Sequence, residues 1–277
     1  MLLRTRTAAL IAICVLAGSS LYGADKPIVI GLVLDDATQD EREPLRAYLT
    51  KAMRRPVNVV DADTYTDTIA RLADGSYDFA CLGALMYVRA HAMHGVIPLV
   101  QRTADLKFHS VFITGAGSSI HSLGDLKGKR FAFGDISGTT THLIPYLELK
   151  QAGIDPETDL QVRFSGSNPA TAVLVERGVV DAGALDETIF KSLISGGQLD
   201  NRKVRVFYTS KPFVGYVFVA RNNVPEAEQE SFARALLALK EGKDDLILKI
   251  LRARKFVVAN DEEYADIRRI AKELKMF

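Results

Sequence analysis

Four hydroxyl side chains lie within five consecutive residues near the middle of the chain: Ser137, Thr139, Thr140 and Thr141. An apolar β-type run ends just before them and a helical pattern follows, so they fall at a helix N-terminus. Backbone N–H groups there lack intrahelical partners and carry the positive end of the helix dipole. With the added hydroxyls, this stretch suits a tetrahedral oxyanion without Lys or Arg. The alternative is N-capping, for which one hydroxyl is sufficient.

A second polar loop, residues 164–169, also precedes a predicted helix. Its Asn168 either caps that helix or donates its amide to a ligand. Asp186 and Glu187 lie at the end of a later strand, where helix capping competes with an acid/base role. His142 follows the hydroxyl cluster and is the histidine that we expect to face a ligand.

Other kinds of site chemistry have little support in the sequence. The five histidines show no metal-ligand spacing with cysteine, and no His-Glu-x-x-His occurs. Neither a Gly-x-Ser-x-Gly elbow nor a Gly-Lys-Ser phosphate loop is present. Cys81 lies in an apolar run, which favours a small buried residue, and a thiol that captures a metalloid is the alternative. We therefore expect no cofactor, no metal and no enzymatic activity.

The elements that must position these residues alternate between short apolar runs and amphipathic ones. Apolar runs that are each followed by a helical pattern cover residues 28–34, 57–60 and 79–82, and then 130–133, 161–164 and 181–185. Such repeats predict α/β structure with parallel sheets. Extended segments at 111–114 and 216–220 are expected to carry the chain between two similar halves.

We predict two lobes with a cleft between them. The first lobe comprises residues 25–113 with 217–277, and the second comprises residues 114–216. Ligands of open α/β sheets bind at the carboxyl ends of strands, where both polar loops lie. Hinged two-lobe proteins close around such sites.

The N-terminus has the pattern of a secretory signal. Arg4 and Arg6 precede an uncharged apolar run at 8–17, and small residues follow. A membrane anchor would need roughly 20 apolar residues. We predict that residues 1–24 are a signal peptide and that the mature protein is soluble in the periplasm.

Export would remove Arg4, Arg6 and Cys14. The 35 Lys and Arg against 34 Asp and Glu would become 33 against 34, a formal charge of −1. With a net charge so close to zero, the protein has no strong electrostatic potential of either sign that could attract nucleic acid or a membrane surface. Cys81 alone would remain, which excludes an internal disulfide, so stability must come from the core.

Residues 123–186 resemble the phosphate-, phosphite- and phosphonate-binding proteins of bacterial ABC importers. The motifs there are Leu126-Lys127-Gly128-Lys129, Thr139-Thr140-Thr141 with Pro145, Gly166-Ser167-Asn168 and Val180-Asp181-Ala182-Gly183-Ala184. In the first lobe, Tyr77-Asp78-Phe79-Ala80 with Leu82-Gly83 also fits, as does Tyr65. The resemblance covers nearly the whole mature chain. It implies the type II periplasmic binding protein architecture, with two Rossmann-like lobes joined by a two-strand hinge.

The resemblance also implies roles for single residues. Thr139 and Thr140 match the hydroxyl residues that bind the anion, and Tyr65 matches a tyrosine that contacts it from the opposite lobe. The predicted ligand-binding set is Tyr65, Tyr87, Thr139, Thr140, Thr141, His142, Asn168 and Asp186.

Several positions depart from the family pattern. Gly138, Thr141 and Asn168 stand where the family has Ser, Gly and His. Phe108 and Tyr216 fall where binders of aminoalkylphosphonates have a tyrosine and an acidic group. An acid would pair a substrate ammonium and Tyr216 cannot, so an amine-bearing phosphonate is not expected.

Two functions compete. The first is a monomeric solute-binding protein that delivers phosphate, phosphite or a simple phosphonate to an ABC permease in the inner membrane. The second is a sensing subunit of the same fold that presents an arsenic or phosphorus oxyanion to a membrane histidine kinase. An enzyme would need a nucleophile with its base, and the sequence offers none.

Overall fold

The computed structural model describes residues 26–32, 39–61 and 65–276. The predicted signal peptide, residues 1–24, lies outside the described residues. The backbone of Tyr65 begins a helix, but its side chain is also outside what the structure describes.

Strands and helices alternate along the described chain, as the sequence predicts. The strands are β1 (Ile28–Leu32), β2 (Val57–Asp61), β3 (Phe79–Leu82), β4 (Ile97–Arg102), β5 (Ser110–Gly115), β6 (Arg130–Phe133), β7 (Gln161–Phe164), β8 (Ala182–Asp186), β9 (Val204–Thr209), β10 (Val217–Ala220) and β11 (Phe256–Val258). The helices are α1 (Gln39–Met53), α2 (Tyr65–Ala73), α3 (Ala84–His94), α4 (Ile144–Gln151), α5 (Pro156–Asp159), α6 (Asn168–Glu176), α7 (Glu187–Ser195), α8 (Glu226–Leu237), α9 (Asp245–Ile250) and α10 (Ala265–Glu273). A π-helical turn, Thr139–Leu143, precedes α4.

The strands form two sheets, with the orders β11-β4-β10-β3-β1-β2 and β7-β6-β8-β5-β9. β1 is parallel to β2 and β3, and β6 is parallel to β7 and β8, as alternating βα units require. β10 runs antiparallel to β3 and β4, and β5 runs antiparallel to β8 and β9. The predicted α/β architecture is confirmed. The βα runs form parallel strands as predicted, and β5 and β10, predicted as extended segments between the lobes, join their sheets antiparallel because each enters directly from the other lobe rather than through a crossover helix.

The two lobes are linked by a short pairing of two extended segments. The N–H of Phe108 donates to the carbonyl of Phe213 at 2.8 Å, and the N–H of Phe213 donates to the carbonyl of Phe108 at 3.0 Å. In the described chain, β5 pairs within the second sheet and β10 within the first. The predicted lobe boundary at 113/114 therefore falls inside β5, and the chain changes lobes just before β5 and β10.

Helices cover both faces of each sheet through buried apolar side chains. In the first sheet, α1, α8 and α9 cover one face, and α2, α3 and α10 cover the other. In the second sheet, α4 covers one face, and α6 and α7 cover the other. Leu143 and Ile144 belong to the same apolar cluster as α3. The lobes therefore touch directly beside the hydroxyl cluster.

Candidate functional site

A cavity of about 60 Å³ lies between the lobes, next to the hinge. The first lobe contributes the N-terminus of α3, and the second contributes the loops that follow β6 and β7. Each of these segments leaves the carboxyl end of a strand and leads into a helix. Helix N-termini from both lobes, with their unpaired N–H groups, therefore converge on one cavity.

Two hydroxyls in the loop after β6 have no hydrogen-bond partner in the described part of the chain. They belong to Ser137 and Thr140, which line the cavity and are 8% and 6% exposed. The N–H of Ser137 donates to Oδ1 of Asp135 at 2.6 Å, which holds the turn. Although the two residues are mostly buried, their hydroxyl oxygens are not sealed from solvent, and the surface that both residues line is that of the cavity. These hydroxyls are thus placed to bind a molecule that enters the cavity.

Thr139 connects the two lobes. Its Oγ1 accepts a hydrogen bond from the N–H of Leu85, in the first turn of α3, at 2.8 Å. The residue before that helix, Gly83, has no side chain to cap it, so Thr139 supplies a cap from the other lobe. The bond uses a lone pair of the hydroxyl, whose proton stays available to donate into the cavity.

Thr141 fills the inside of the loop. Its Oγ1 donates to the carbonyl of Asp135 at 3.2 Å, and the side chain packs between Gly134 and Gly138. A Cβ atom at Gly138 would lie only 1.9 Å from Oγ1 of Thr141, and one at Gly134 would lie 2.6 Å from its Cβ. The two departures at 138 and 141 from the family pattern are therefore coupled: the side chain missing at one position makes room for the side chain at the other.

Asn168 lies in the second loop between two cavities. Its Oδ1 accepts the N–H of Asp186 at 2.8 Å, and its Nδ2 donates to no acceptor in the described residues. Ser167 caps α6 instead, through a hydrogen bond from the N–H of Ala170 at 3.3 Å. Ser167, and not Asn168, therefore caps this helix, and the side-chain N–H₂ of Asn168 is free to donate to a ligand.

His142 does not line the cavity. Its Nδ1–H donates to the carbonyl of Ile136 at 2.7 Å, and its ring packs against Phe133, Tyr146 and Phe164. Burial lowers the pKa of His142, which favours the neutral ring. His142 therefore packs on the side of the loop after β6 that faces away from the cavity. The predicted contact between His142 and a ligand would require its ring to point into the cavity instead.

Tyr87 is also turned away from the cavity. The residue is fully buried in the first lobe, where its hydroxyl donates to Oδ1 of Asp261 at 2.6 Å. Its ring packs edge-on against Tyr264, with ring centroids 4.6 Å apart. These contacts join α3 to the segment before α10, so Tyr87 holds in place the helix whose N-terminus lines the cavity.

A second cavity of about 80 Å³ adjoins the first and shares Phe108, Asn168 and Tyr216 with it. Asp186, which lines it, is 2% exposed, and its Oδ1 accepts the N–H groups of Thr188 and Ile189 at 2.7 and 3.1 Å. The predicted cap at the start of α7 is therefore present. Burial raises the pKa of Asp186 to about 6.

The second cavity also contains Cys81 and Arg102. Burial raises the pKa of the Cys81 thiol to about 12, so the reactive thiolate is scarce. Arg102 pairs with the buried Asp105 at 2.6 Å and lies over the ring of Tyr216. The guanidinium is thus already neutralised by a carboxylate of its own lobe.

The sequence analysis did not predict that Asp135, Phe213 and the first turn of α3 line the first cavity. The α3 donors are backbone N–H groups, which leave no side-chain signature; the tight strand-to-helix link at Gly83 was the available signal. No three described His, Cys, Asp or Glu residues are grouped to hold a metal ion. No described helix is long and apolar enough to cross a membrane.

Known proteins match this chain over most of its length. The model of the family "ABC transporter, phosphonate, periplasmic substrate-binding protein" matches residues 33–264. The probable ABC transporter phosphite binding protein PhnD1 of Prochlorococcus marinus is 25% identical over 274 residues, which cover 92% of both proteins.

Solved structures show the same fold. PhnD1 in complex with methylphosphonate superimposes with a TM-score of 0.82 at 25% identity, covering 91% of this chain and 100% of PhnD1. The binding component of an ABC phosphonate transporter from Pseudomonas aeruginosa gives 0.80 at 20% identity, over 91% and 87% of the two chains. The aliphatic sulphonate binding protein SsuA of Escherichia coli gives 0.61 at 18% identity, over 90% and 88%. At these lower identities the likeness concerns the fold alone.

Proposed function

The chain belongs to the periplasmic substrate-binding proteins of phosphonate ABC transporters, and on that premise we propose that its first cavity captures phosphite or a simple phosphonate. The predicted role as the solute-binding component of an ABC importer is confirmed by this membership. The family gives no support to a sensor-kinase subunit. Its members bind substrates rather than transform them, and their partners are a small ligand and a membrane permease.

The unpartnered hydroxyls of Ser137 and Thr140 carry the proposal. Together with Nδ2 of Asn168, they supply hydrogen-bond donors from two loops to one small cavity. No Lys or Arg is among the described residues that line it. Donors and helix N-termini without a formal positive charge suit an anion that is held by hydrogen bonds on several oxygens.

Closure of the lobes would complete the site. The second lobe holds the ligand through the loops after β6 and β7, and the first lobe adds the N-terminus of α3 when Leu85 meets Thr139. The predicted contact from Tyr65 would come from the same lobe, at the start of α2. Binding and closure are thus one process, in which the cavity is shielded from water only in the closed form.

The second cavity offers space for a substituent on phosphorus. It adjoins the first at Asn168 and Tyr216 and contains the carboxyl of Asp186. A methyl group or hydrogen needs no partner there. An ammonium substituent would depend on Asp186, because position 216 offers no carboxylate. The proposed ligands are simple phosphonates, and titration with 2-aminoethylphosphonate tests the exclusion of an amine.

The family is periplasmic, and we propose that residues 1–24 form the cleaved signal and that the mature protein is a monomer delivering to an inner-membrane permease. Mass spectrometry of the exported protein would give the cleavage position. Light scattering of the same sample would give the oligomeric state. A mature chain that retains residues 1–24, or a stable dimer, would contradict these two points.

The test of ligand identity is calorimetric titration of the mature protein with phosphite, methylphosphonate, phosphate, arsenate, arsenite and 2-aminoethylphosphonate. A ligand at 100 times its dissociation constant should add about 2.7 kcal/mol of stability. Thr140→Val should weaken binding about ten- to a hundredfold, since a charge-assisted hydrogen bond contributes roughly 1.5–3 kcal/mol.

Thr209→Val is the matched control, because Thr209 is an exposed residue of β9 in the same lobe. It should leave the affinity unchanged. If no phosphorus oxyanion binds to a folded mature protein, the proposed function is wrong. If Thr140→Val binds like Thr209→Val, the ligand lies elsewhere.

A further inference from the structure

The backbone carbonyl of Thr140 has no donor within its own helix. In the π-helical turn before α4, the N–H of Ile144 donates to the carbonyl of Thr139. The corresponding donor for Thr140 would be the N–H of the next residue, but Pro145 has none. Thr140 is 6% exposed, and a buried carbonyl without a donor is costly. The carbonyl therefore needs a donor from outside the helix.

Ser110, the first residue of β5, supplies this donor. Its Oγ donates to the carbonyl of Thr140 at 2.7 Å, and the residue is fully buried. Its own backbone is held by Ser210. The N–H of Ser110 donates to Oγ of Ser210 at 2.9 Å, and the N–H of Ser210 donates to the carbonyl of Ser110 at 2.9 Å. The hydroxyl of Ser110 is thus fixed beside the paired segments that link the lobes.

The bond to Ser110 fixes the peptide unit between Thr140 and Thr141. The C=O and N–H of a planar trans peptide point in opposite directions, so Ser110 also sets the direction of the Thr141 N–H. Within the described chain, the N–H groups of Thr140 and Thr141 donate to no acceptor. Both residues line the first cavity, whereas Ser110 is not among the described residues that line it.

We propose that Ser110 is a positioning residue for anion binding. It does not touch the ligand, and it holds the Thr140–Thr141 peptide in the orientation that lets this turn donate to an oxyanion. The role rests on the proposed function, since it concerns how the first cavity holds its anion.

Loss of the Ser110 hydroxyl would act on the ligand through this peptide. The carbonyl of Thr140 would then lack a donor in the protein, and water in the cavity would be available to supply one. A carbonyl that turned to that water would bring an acceptor toward the anion and take the N–H of Thr141 away from it. Holding the peptide beforehand avoids this reorientation, which is the general advantage of preorganised donors.

The test combines calorimetric titration with methylphosphonate and urea unfolding without ligand, on the same mature proteins. Ser110→Ala should weaken binding about ten- to a hundredfold, as expected when one charge-assisted hydrogen bond is lost. Ser110→Ala/Pro145→Ala restores an N–H that can serve the carbonyl of Thr140, in the way that Ile144 serves Thr139. This double variant should recover part of the lost affinity, and Pro145→Ala alone should bind like the wild type.

Thr114→Val is the matched control for a loss of stability. Oγ1 of Thr114 donates to the carbonyl of Asp181 at 2.7 Å, from the same strand and with the same full burial. The control loses the same kind of bond, but neither Thr114 nor Asp181 is among the described residues that line the first cavity. It should lower the unfolding midpoint and keep the wild-type affinity.

The possible results separate positioning from stability. An unchanged affinity in folded Ser110→Ala overturns the role of Ser110, and so does an equal loss of affinity in Thr114→Val. Absence of any recovery in Ser110→Ala/Pro145→Ala overturns it as well, because the carbonyl of Thr140 would then not be the group that matters. If the wild type binds no phosphorus oxyanion, the proposed function fails instead.

Discussion

Gly138→Ala tests whether the loop after β6 depends on the exchange of side chains between positions 138 and 141. The added Cβ would lie 1.9 Å from Oγ1 of Thr141, well inside the 3.0 Å below which a neighbour must shift. The backbone at Gly138 is extended, with φ −77° and ψ 134°, so any residue fits its conformation and the penalty is steric. Thr141 is 4% exposed and has little room to move. We expect Gly138→Ala to cost about 1–3 kcal/mol of unfolding free energy, as overpacking does.

A double-mutant cycle isolates this contact. Thr141→Ala alone loses the hydrogen bond to the Asp135 carbonyl, at about 1 kcal/mol. In Gly138→Ala/Thr141→Ala the 1.9 Å contact is gone, and the added Cβ keeps only the contacts of 3.0 Å with the carbonyl of Asp135 and 3.3 Å with the Cβ of residue 141. Most of the steric cost should therefore disappear, with a coupling of about 1–3 kcal/mol in urea unfolding. Gly117→Ala is the control, since a Cβ there meets nothing within 4 Å. Additive costs in the cycle, or a neutral Gly138→Ala, would refute the steric argument.

Four further outcomes are expected. Thr139→Val should weaken anion binding about ten- to a hundredfold in calorimetry, and an unchanged dissociation constant with a lowered unfolding midpoint would reduce Thr139 to a cap. Saturating ligand should lower the radius of gyration in small-angle scattering, and binding without compaction would contradict hinged closure. Folding raises the pKa of Asp186 from 3.8 to about 6, so ionisation of this carboxyl destabilises the folded state as the pH rises from about 4 to 6. Asp186→Asn should therefore add about 2–3 kcal/mol to the free energy of unfolding at neutral pH and nothing near pH 4. Equal effects of the substitution at both pH values would rule this out. Cys81→Ser should lower the unfolding midpoint and leave anion affinity unchanged, and loss of arsenite binding in a folded variant would assign the thiol to the ligand.

Much of the fold could be predicted because short apolar runs carry it. The runs at 79–82, 130–133 and 161–164 are strands with those bounds in the structure. The sequence analysis did not predict β4, because Pro98 interrupts an otherwise β-type run and Pro is unusual inside a sheet. The direction of β5 was also missed, since it depends on pairing with strands about 70 to 100 residues later.

The lining of the candidate site could be predicted where it depends on residue type and loop position, and not where it depends on the direction in which a side chain points. Thr139, Thr140 and Asn168 line the cavity because their loops end neighbouring strands. Tyr87 and His142 lie close in sequence to lining residues but face the other way. Their partners, Asp261 and the carbonyl of Ile136, are set by packing that periodicity does not encode.

The hydrogen bond from Leu85 to Thr139 has a consequence for the time a ligand stays bound. A ligand in the proposed site would leave only after the lobes separate, so its residence time would include the waiting time for opening. Such gating slows release more than it slows capture, because capture occurs in the open form. Removing the bond should therefore shorten residence even for a ligand that never touches Leu85. The permease would then meet a carrier that releases its cargo into the periplasm before delivery.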